Sequence, residues 1–336
     1  MSQAPVFLLT MGDPAGIGAE IAVKALCDGT AGERPYRIAV VGDIDVLQKA
    51  ADVCGLSPSF NIIEKPEDAE HGNLINAIDM REISVSQFTF GKPQASCGRA
   101  AYQYITKAIN LTIEKKAAGV ITNPISKESL KMAGIDYPGH TEIFADKTNT
   151  SDYSMVFLLD DVAVAHVTTH VSLRQAIDLI TKDRVLRQMW LLRQSLNSLG
   201  IDTPRMAIGG LNPHAGENGL FGDEEKREII PAIDEARLEG IDIVGPLPPD
   251  TVFNRAFKGE FNGVVSMLHD HGFVALKSRD FERGVNITIG LPIIRTSVGH
   301  GTAFDIAWKG EASPVSLLAA MDTAYKMYIY GAVSGG

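Results

Sequence analysis

Residues 6–26, VFLLTMGDPAGIGAEIAVKAL, decide the fold. Val6–Met11 is an unbroken apolar run of strand length, and from Gly18 to Leu26 the apolar residues recur at helical spacing. Gly12, Gly16 and Gly18 punctuate the turn between them. A strand that is apolar on both faces needs cover on both, so the stretch predicts one strand–turn–helix unit of a parallel sheet covered by helices. The same alternation extends outward. Residues 36–43 read as a strand and 44–55 as a helix stopped by Gly55. Ala95–Lys116 reads as a long helix delivering the chain to a strand that Pro124 ends. Residues 154–160 and 162–170 are two apolar strands that form a hairpin. Helix 183–200 precedes strand 205–212, helix 223–240 precedes strand 241–246, and residues 261–268 and 285–291 are the last strands. A helix from Pro314 to Tyr330 closes the pattern. The class is α/β.

The chain has 336 residues, of which 45% are apolar, 21% charged and 7% aromatic. That composition excludes a disordered or collagenous chain, and the length predicts two lobes of about 100–200 residues each. With no low-complexity linker, the lobes are expected to share a mostly parallel sheet, the chain crossing more than once. The formal charge of -10 argues against a nucleic-acid-coating surface but allows a local basic pocket. Cys27, Cys54 and Cys97 show no C-x-x-C spacing, which suits a reducing compartment. The opening residues do not read as a secretory leader, and no apolar run approaches membrane-spanning length; a cytoplasmic protein with no membrane partner is expected.

Histidine is unevenly placed: of eight, only His71 precedes position 139. His170, His214 and His269 each follow a predicted strand. Loops at strand ends converge on one edge of such a sheet, and three imidazoles with an open fourth position suit a catalytic zinc ion. Each histidine taken alone reads equally as an ordinary surface or core residue. Asp250 and Asp270 are candidates for orienting a ligand or acting as a base, with turn capping as the plain alternative. His140 and Thr141, in YPGHTEIFAD, precede a helix whose start favours anions, although Thr141 also reads as an N-cap. Lys277, Asn286 and Arg295 flank apolar strands, where a buried cation needs an anionic ligand or a structural carboxylate. The glycines at 12, 16 and 18 do not form the G-x-G-x-x-G dinucleotide fingerprint. The loop around His300, with Gly301, Thr302 and Asp305, reads by spacing alone as a tight strand-to-helix turn.

Taken in order, MGDPAGIGAE (11–20), TNPISKESL (122–130), YPGHTEIFAD (137–146), LNPHAGENGLFGDEE (211–225), GPLPPDTVF (245–253), GVNITIGLPIIRTSV (284–298) and HGTAFDIAWKG (300–310) resemble the 4-hydroxythreonine-4-phosphate dehydrogenase (PdxA) family over essentially the whole chain. The glycine-rich start and the HGTAFDIA loop also resemble β-decarboxylating dehydrogenases of the isopropylmalate type. The resemblance implies two α/β/α lobes, approximately 1–140 with 296–336 on the cofactor side and 141–295 on the metal side. It implies an interlobe active site completed across a homodimer interface. It carries the metal ligands onto His170, His214 and His269, and substrate binding onto His140, Thr141, Lys277, Asn286 and Arg295. Cofactor contacts fall on Gly12, Gly16, Gly301, Thr302 and Asp305. The implied cofactors are NAD or NADP and a divalent metal, zinc before magnesium or cobalt. The implied reaction oxidises the secondary alcohol of 4-phosphohydroxy-L-threonine to a β-keto acid, which decarboxylates to 3-amino-2-oxopropyl phosphate in pyridoxal phosphate biosynthesis.

Three departures from the family pattern, His271, Gly299 and Trp308, bear on the substrate. Trp308 resembles relatives acting on 4-phospho-D-threonate or D-erythronate. Gly299 resembles relatives that oxidise aromatic cis-dihydrodiols, but those lack the GHTE segment present here. A metal-dependent hydrolase or lyase without nicotinamide is the alternative from another class, and a silent binding protein is disfavoured because every metal position is filled.

Overall fold

The strand that opens the fold is buried because four of its five residues are apolar. β1 (Val6–Thr10) is buried along its whole length; it leads into α1 (Gly18–Leu26), β2 (Arg37–Gly42), α2 (Ile44–Val53), β3 (Ser59–Ile62) and β4 (Leu74–Asp79). Then come α3 (Ala95–Ile113), β5 (Gly119–Thr122), α4 (Lys127–Met132), α5 (His140–Lys147), β6 (Ser154–Leu159) and β7 (Val162–His166). The chain continues through α6 (Leu173–Leu179), α7 (Lys182–Ser198), β8 (Met206–Gly209), α8 (Ile230–Leu238), β9 (Ile243–Leu247), α9 (Pro249–Phe257) and β10 (Gly263–Ser266). It ends in α10 (His269–Arg279), β11 (Val285–Ile289), β12 (Ile294–Val298) and α11 (Val315–Gly331). This computed structural model describes residues 4–280 and 282–331. The α/β class read from the alternation is the class observed.

The chain forms two compact units, Met1–Asp152 with Leu291–Tyr328, and Tyr153–Gly290 with Ile329–Gly336. In the first, the strands run β3-β4-β2-β1-β5-β12 and every neighbouring pair is parallel. Leu8, Leu9, Val40 and Ile121 are fully buried there. Each contributes roughly 1.5–3 kcal/mol by leaving water. In the second, the order is β11-β6-β7-β10-β8-β9. Strand β6 is antiparallel to both β11 and β7, and the remaining pairs are parallel. Its core gathers Phe157, Val164, Val252, Phe253, Val264 and Phe273.

The hairpin is the one expected: Leu159 pairs with Val162 across the β6–β7 turn, and Asp160 takes φ 51° within it. Other boundaries differ for physical reasons. Helix α3 stops at Ile113, short of Lys116, because Lys115 turns left-handed (φ 58°) and the Lys115 and Lys116 amides donate back to Thr112 and Leu111. The 223–240 helix opens with a wide π turn, Glu225–Ile229, before α8, where Pro231 removes an amide from the ladder. Strands β3 and β4 escape the sequence pattern: β3 is a short, half-exposed edge strand, and the apolar run of β4 is broken by Asn76. Among the described residues, no helix is long and apolar enough to cross a membrane.

Candidate active site

In the first unit, the turn after β1 and the loop after β12 form one surface. Gly12 adopts φ 83°, and a Cβ there would lie 2.5 Å from the Pro124 carbonyl oxygen. A Cβ on Gly16 would lie 3.0 Å from the Thr302 carbonyl oxygen, and the Ile17 amide donates to that oxygen at 3.1 Å. The glycine-rich turn and the Gly301–Thr302 segment, far apart in sequence, are therefore in contact. Gly301 borders open space and Asp305 is exposed.

Glu20 holds this loop from behind. It is fully buried on α1, and its carboxylate accepts the Trp308 amide at 2.6 Å and the Gly310 amide at 2.7 Å. Trp308 takes φ 65°, donates its indole N–H to the Pro14 carbonyl at 3.1 Å and stacks on Phe90 at 4.3 Å. Lys24 donates to the Gly310 and Ala312 carbonyls. Sequence reasoning did not single out Glu20. The available signal was a lone carboxylate among the otherwise apolar residues that open the helix, Gly18–Val23.

The candidate anion-binding residues of this unit also come together. Gly139 caps α5 with extended backbone and no side chain caps the helix, so Thr141 is its second residue and not an N-cap. Arg295 is buried on β12; its Nη2 donates to Thr122 Oγ1 at 2.9 Å and its guanidinium lies 5.6 Å from the Phe144 ring centroid. Burial pulls its pKa down to about 10, partly offset by Glu142, which leaves it cationic at neutral pH. His140 lies within the influence of that charge. Burial first, and Arg295 second, hold its imidazole well below the usual histidine range, against a hydrogen bond with the Asn123 backbone. Its Nε2 is buried with no protein partner among the described residues. A buried cation and an unsatisfied ring nitrogen at a helix N-terminus make this a candidate anion site. Lys277 and Asn286 belong to the second unit, on α10 and β11; the Lys277 ammonium lies 5.4 Å from the Phe273 ring centroid.

The second unit also holds the three candidate metal ligands. His170 follows β7 and is exposed. His269 is the first residue of α10, not a loop residue, and its Nδ1 lies 2.7 Å from Asp270 Oδ1. The His170 and His269 ring centroids are 5.5 Å apart. Two imidazoles sharing a tetrahedral zinc ion would have centroids about 5 Å apart. His214 is exposed, and its Nδ1 lies 3.1 Å from Glu217 Oε2. A carboxylate on Nδ1 fixes the ring and turns Nε2 outward, as metal-binding histidines require. The donor chemistry therefore fits a divalent ion. The described residues of one chain nevertheless bring no three such donors together: His170 and His269 meet, and His214 stands apart. Asp270 pairs with a histidine, whereas Asp250 is exposed in the first turn of α9. His166 is buried, stacks on Phe273 at 4.6 Å and forms part of the core behind His269.

The comparisons with known proteins define the class, a dehydrogenase, an oxidoreductase acting on a small molecule. The family model described as pyridoxal phosphate biosynthetic protein PdxA matches residues 34–324, and the chain belongs to that family. A protein of Oceanobacillus iheyensis, provisionally named D-threonate 4-phosphate dehydrogenase, is 46% identical over 97% of this chain and 99% of its own. A Clostridium botulinum protein of the same provisional name is 42% identical over 97% and 98%. The crystal structure of 4-hydroxythreonine-4-phosphate dehydrogenase from Klebsiella pneumoniae is 41% identical, covers 97% of this chain and 98% of its own, and superposes with a TM-score of 0.87.

Proposed function

We propose that this protein oxidises the secondary alcohol of a 4-phosphorylated four-carbon hydroxy acid, 4-phospho-D-threonate foremost, with NAD and a divalent cation. The observation that carries the reading is the buried Arg295–His140 receptor at the start of α5. It offers a terminal phosphate a fixed cation and free helix amides. Lys277 and Asn286 take the remaining polar groups of the substrate, so that the carbinol is held in one orientation. Gly12, Gly16, Gly301, Thr302 and Asp305 line the nicotinamide cofactor's surface. His170, His214 and His269 would hold the cation, and three imidazoles favour zinc or cobalt over magnesium. When bound, the cation lowers the cost of losing the hydroxyl proton and the cofactor accepts the hydride. Asp270 orients His269, which leaves Asp250 as the candidate proton acceptor.

A second copy of the chain completes the site. Leu173, Ile177, Leu220, Phe221 and Val274 are exposed in the same unit as the three histidines. Apolar surface of this kind supports a homodimer that brings His214 of one copy to the His170–His269 pair of the other.

The substrate choice rests on the names of the relatives and on Gly299 and Trp308. Gly299 offers no carboxylate to a substrate amine. The alternative, 4-phosphohydroxy-L-threonine, is favoured by the name of the Klebsiella structure. The experiment is a panel of 4-phospho-D-threonate, 4-phospho-D-erythronate and 4-phosphohydroxy-L-threonine, each with NAD and NADP, ranked by kcat/KM. The D-threonate ester with NAD is expected to lead by ~10-fold or more. A lead for the amino acid would move the assignment to the biosynthetic reaction. Metal-dependent ester cleavage without reduced nicotinamide would end the dehydrogenase reading.

A further inference from the structure

The segment that carries His214 has an unusual backbone. His214, Ala215, Gly216, Glu217 and Asn218 all have positive φ, at 52, 54, 78, 43 and 56°, so the chain makes a turn of left-handed helix. Only Gly216 adopts that state without crowding its Cβ against the backbone. Something other than local preference must hold the other four residues there.

The holding group is Glu225. Its side chain is buried, and Oε1 accepts the amides of Leu211 and Asn212, each at 2.8 Å. Oε2 accepts Asn212 Nδ2 at 2.9 Å. The carboxylate thus fixes the residues that lead into the turn. The turn then wraps around it: a Cβ on Gly216 would lie 2.6 Å from Oε2, which leaves no room for a side chain. At the far end, the neighbouring Lys226 donates to the Asn218 carbonyl. Burying a carboxylate is costly, and this one is satisfied by amide donors that all belong to the stem of the turn.

We infer that Glu225 is the positioning residue for His214, holding it in the left-handed turn so that its ring is aimed before any cation arrives. This inference rests on the reading of His214 as a metal ligand. Glu225 touches neither cation nor substrate; it acts through the backbone. The pre-formed turn also explains why His214 and Glu217 meet within one turn, since αL geometry folds both side chains to the same side.

The test uses the full-length protein and two readouts besides turnover: zinc affinity by competition with a chromophoric chelator, and the visible spectrum of the cobalt-loaded protein. His214→Ala is expected to lose zinc affinity by more than about 100-fold, and Glu225→Ala by ~10–100-fold with an altered cobalt spectrum. Glu225→Gln keeps an acceptor for the two backbone amides but turns a donor toward Asn212 Nδ2, and is expected to fall no further than Asn212→Ala, several-fold. Asn212→Ala removes only the side-chain tether; it should weaken binding several-fold, and it decides the matter if Glu225→Ala does not fold. Wild-type affinity and spectrum in Glu225→Ala, or in Asn212→Ala where that variant decides, would overturn the inference while leaving His214 a ligand. Affinity that falls only in step with metal-free thermal stability, with the cobalt spectrum unchanged, would also overturn it. Wild-type affinity in His214→Ala would overturn the metal reading, and the inference with it.

Discussion

The two units prepare their chemistry in opposite ways. In the first, Arg295, His140 and the Gly16–Thr302 contact are assembled within one chain and largely buried, Arg295 bonded to Thr122 of β5 and Thr302 to the Ile17 amide. In the second, His170 and His214 are exposed, His269 is half-exposed, and apolar side chains face solvent nearby. A receptor for a small anion can be completed by its own polypeptide, because desolvating one guanidinium requires only a pocket. The candidate cation ligands, by contrast, are not gathered by the described residues of one chain. The difference teaches that burial marks what the single chain finishes, and on the proposed dimer exposure marks what a second copy would complete.

That contrast can be broken most directly at Phe221, which is 47% exposed and packs edge-on against His214 at 6.2 Å. Phe221→Asp is expected to halve the mass measured by light scattering and to abolish turnover. Dihydrogen phosphate should still protect the protein against thermal unfolding, because the anion receptor needs no second copy. A dimeric, active variant would show that the exposed patch is not the interface.

The next largest effect separates function from stability in the first unit. Arg295→Met keeps the volume of the side chain but removes the cation. Charge-assisted hydrogen bonds of about 1.5–3 kcal/mol each would be lost to the phosphate, so kcat/KM should fall by about 10²–10⁴-fold. Stability should change little or rise, since an apolar side chain escapes the desolvation cost of the guanidinium. A variant with normal kcat/KM toward phosphorylated substrate but a large loss of stability would make Arg295 a structural residue.

Much of this was legible in the sequence, and the part that was not shares a cause. The run 6–26 announced the strand–turn–helix unit because apolar periodicity is a local signal, and the hairpin at 160 followed from two adjacent apolar runs. The three histidines stood out by their position after strands. Glu225 did not, because Asp223, Glu224 and Glu225 read as one acidic helix start, and only the fold says which member is buried. The left-handed turn at His214 was equally invisible, since Ala215 and Glu217 have no preference for that state and a lone glycine or asparagine does not announce five such residues in a row. The contact of Gly16 with Thr302 depends on long-range packing, which no spacing encodes.

The smallest predicted effect concerns pH and again distinguishes the buried receptor from its surroundings. His140 has an ordinary value of 6.5 in the unfolded chain and a value well below that in the folded protein, because burial and then Arg295 disfavour its charged form. Below pH 6.5 the unfolded chain therefore binds a proton that the folded chain does not, and stability falls as the solution is acidified. The limiting slope is about 1.4 kcal/mol per pH unit for one such group. His166 acts in the same direction, its folded value lowered to about 3 chiefly by burial, so the wild-type slope contains both. His140→Gln keeps a donor for the Asn123 backbone and removes one titration. Urea unfolding at about pH 7 and about pH 5 should show the variant losing about 1–2 kcal/mol less than wild type. Inorganic phosphate should narrow that gap, because a bound anion stabilises the imidazolium beside Arg295. Parallel pH profiles for variant and wild type would mean that His140 is open to water, and the anion receptor would lose its buried imidazole.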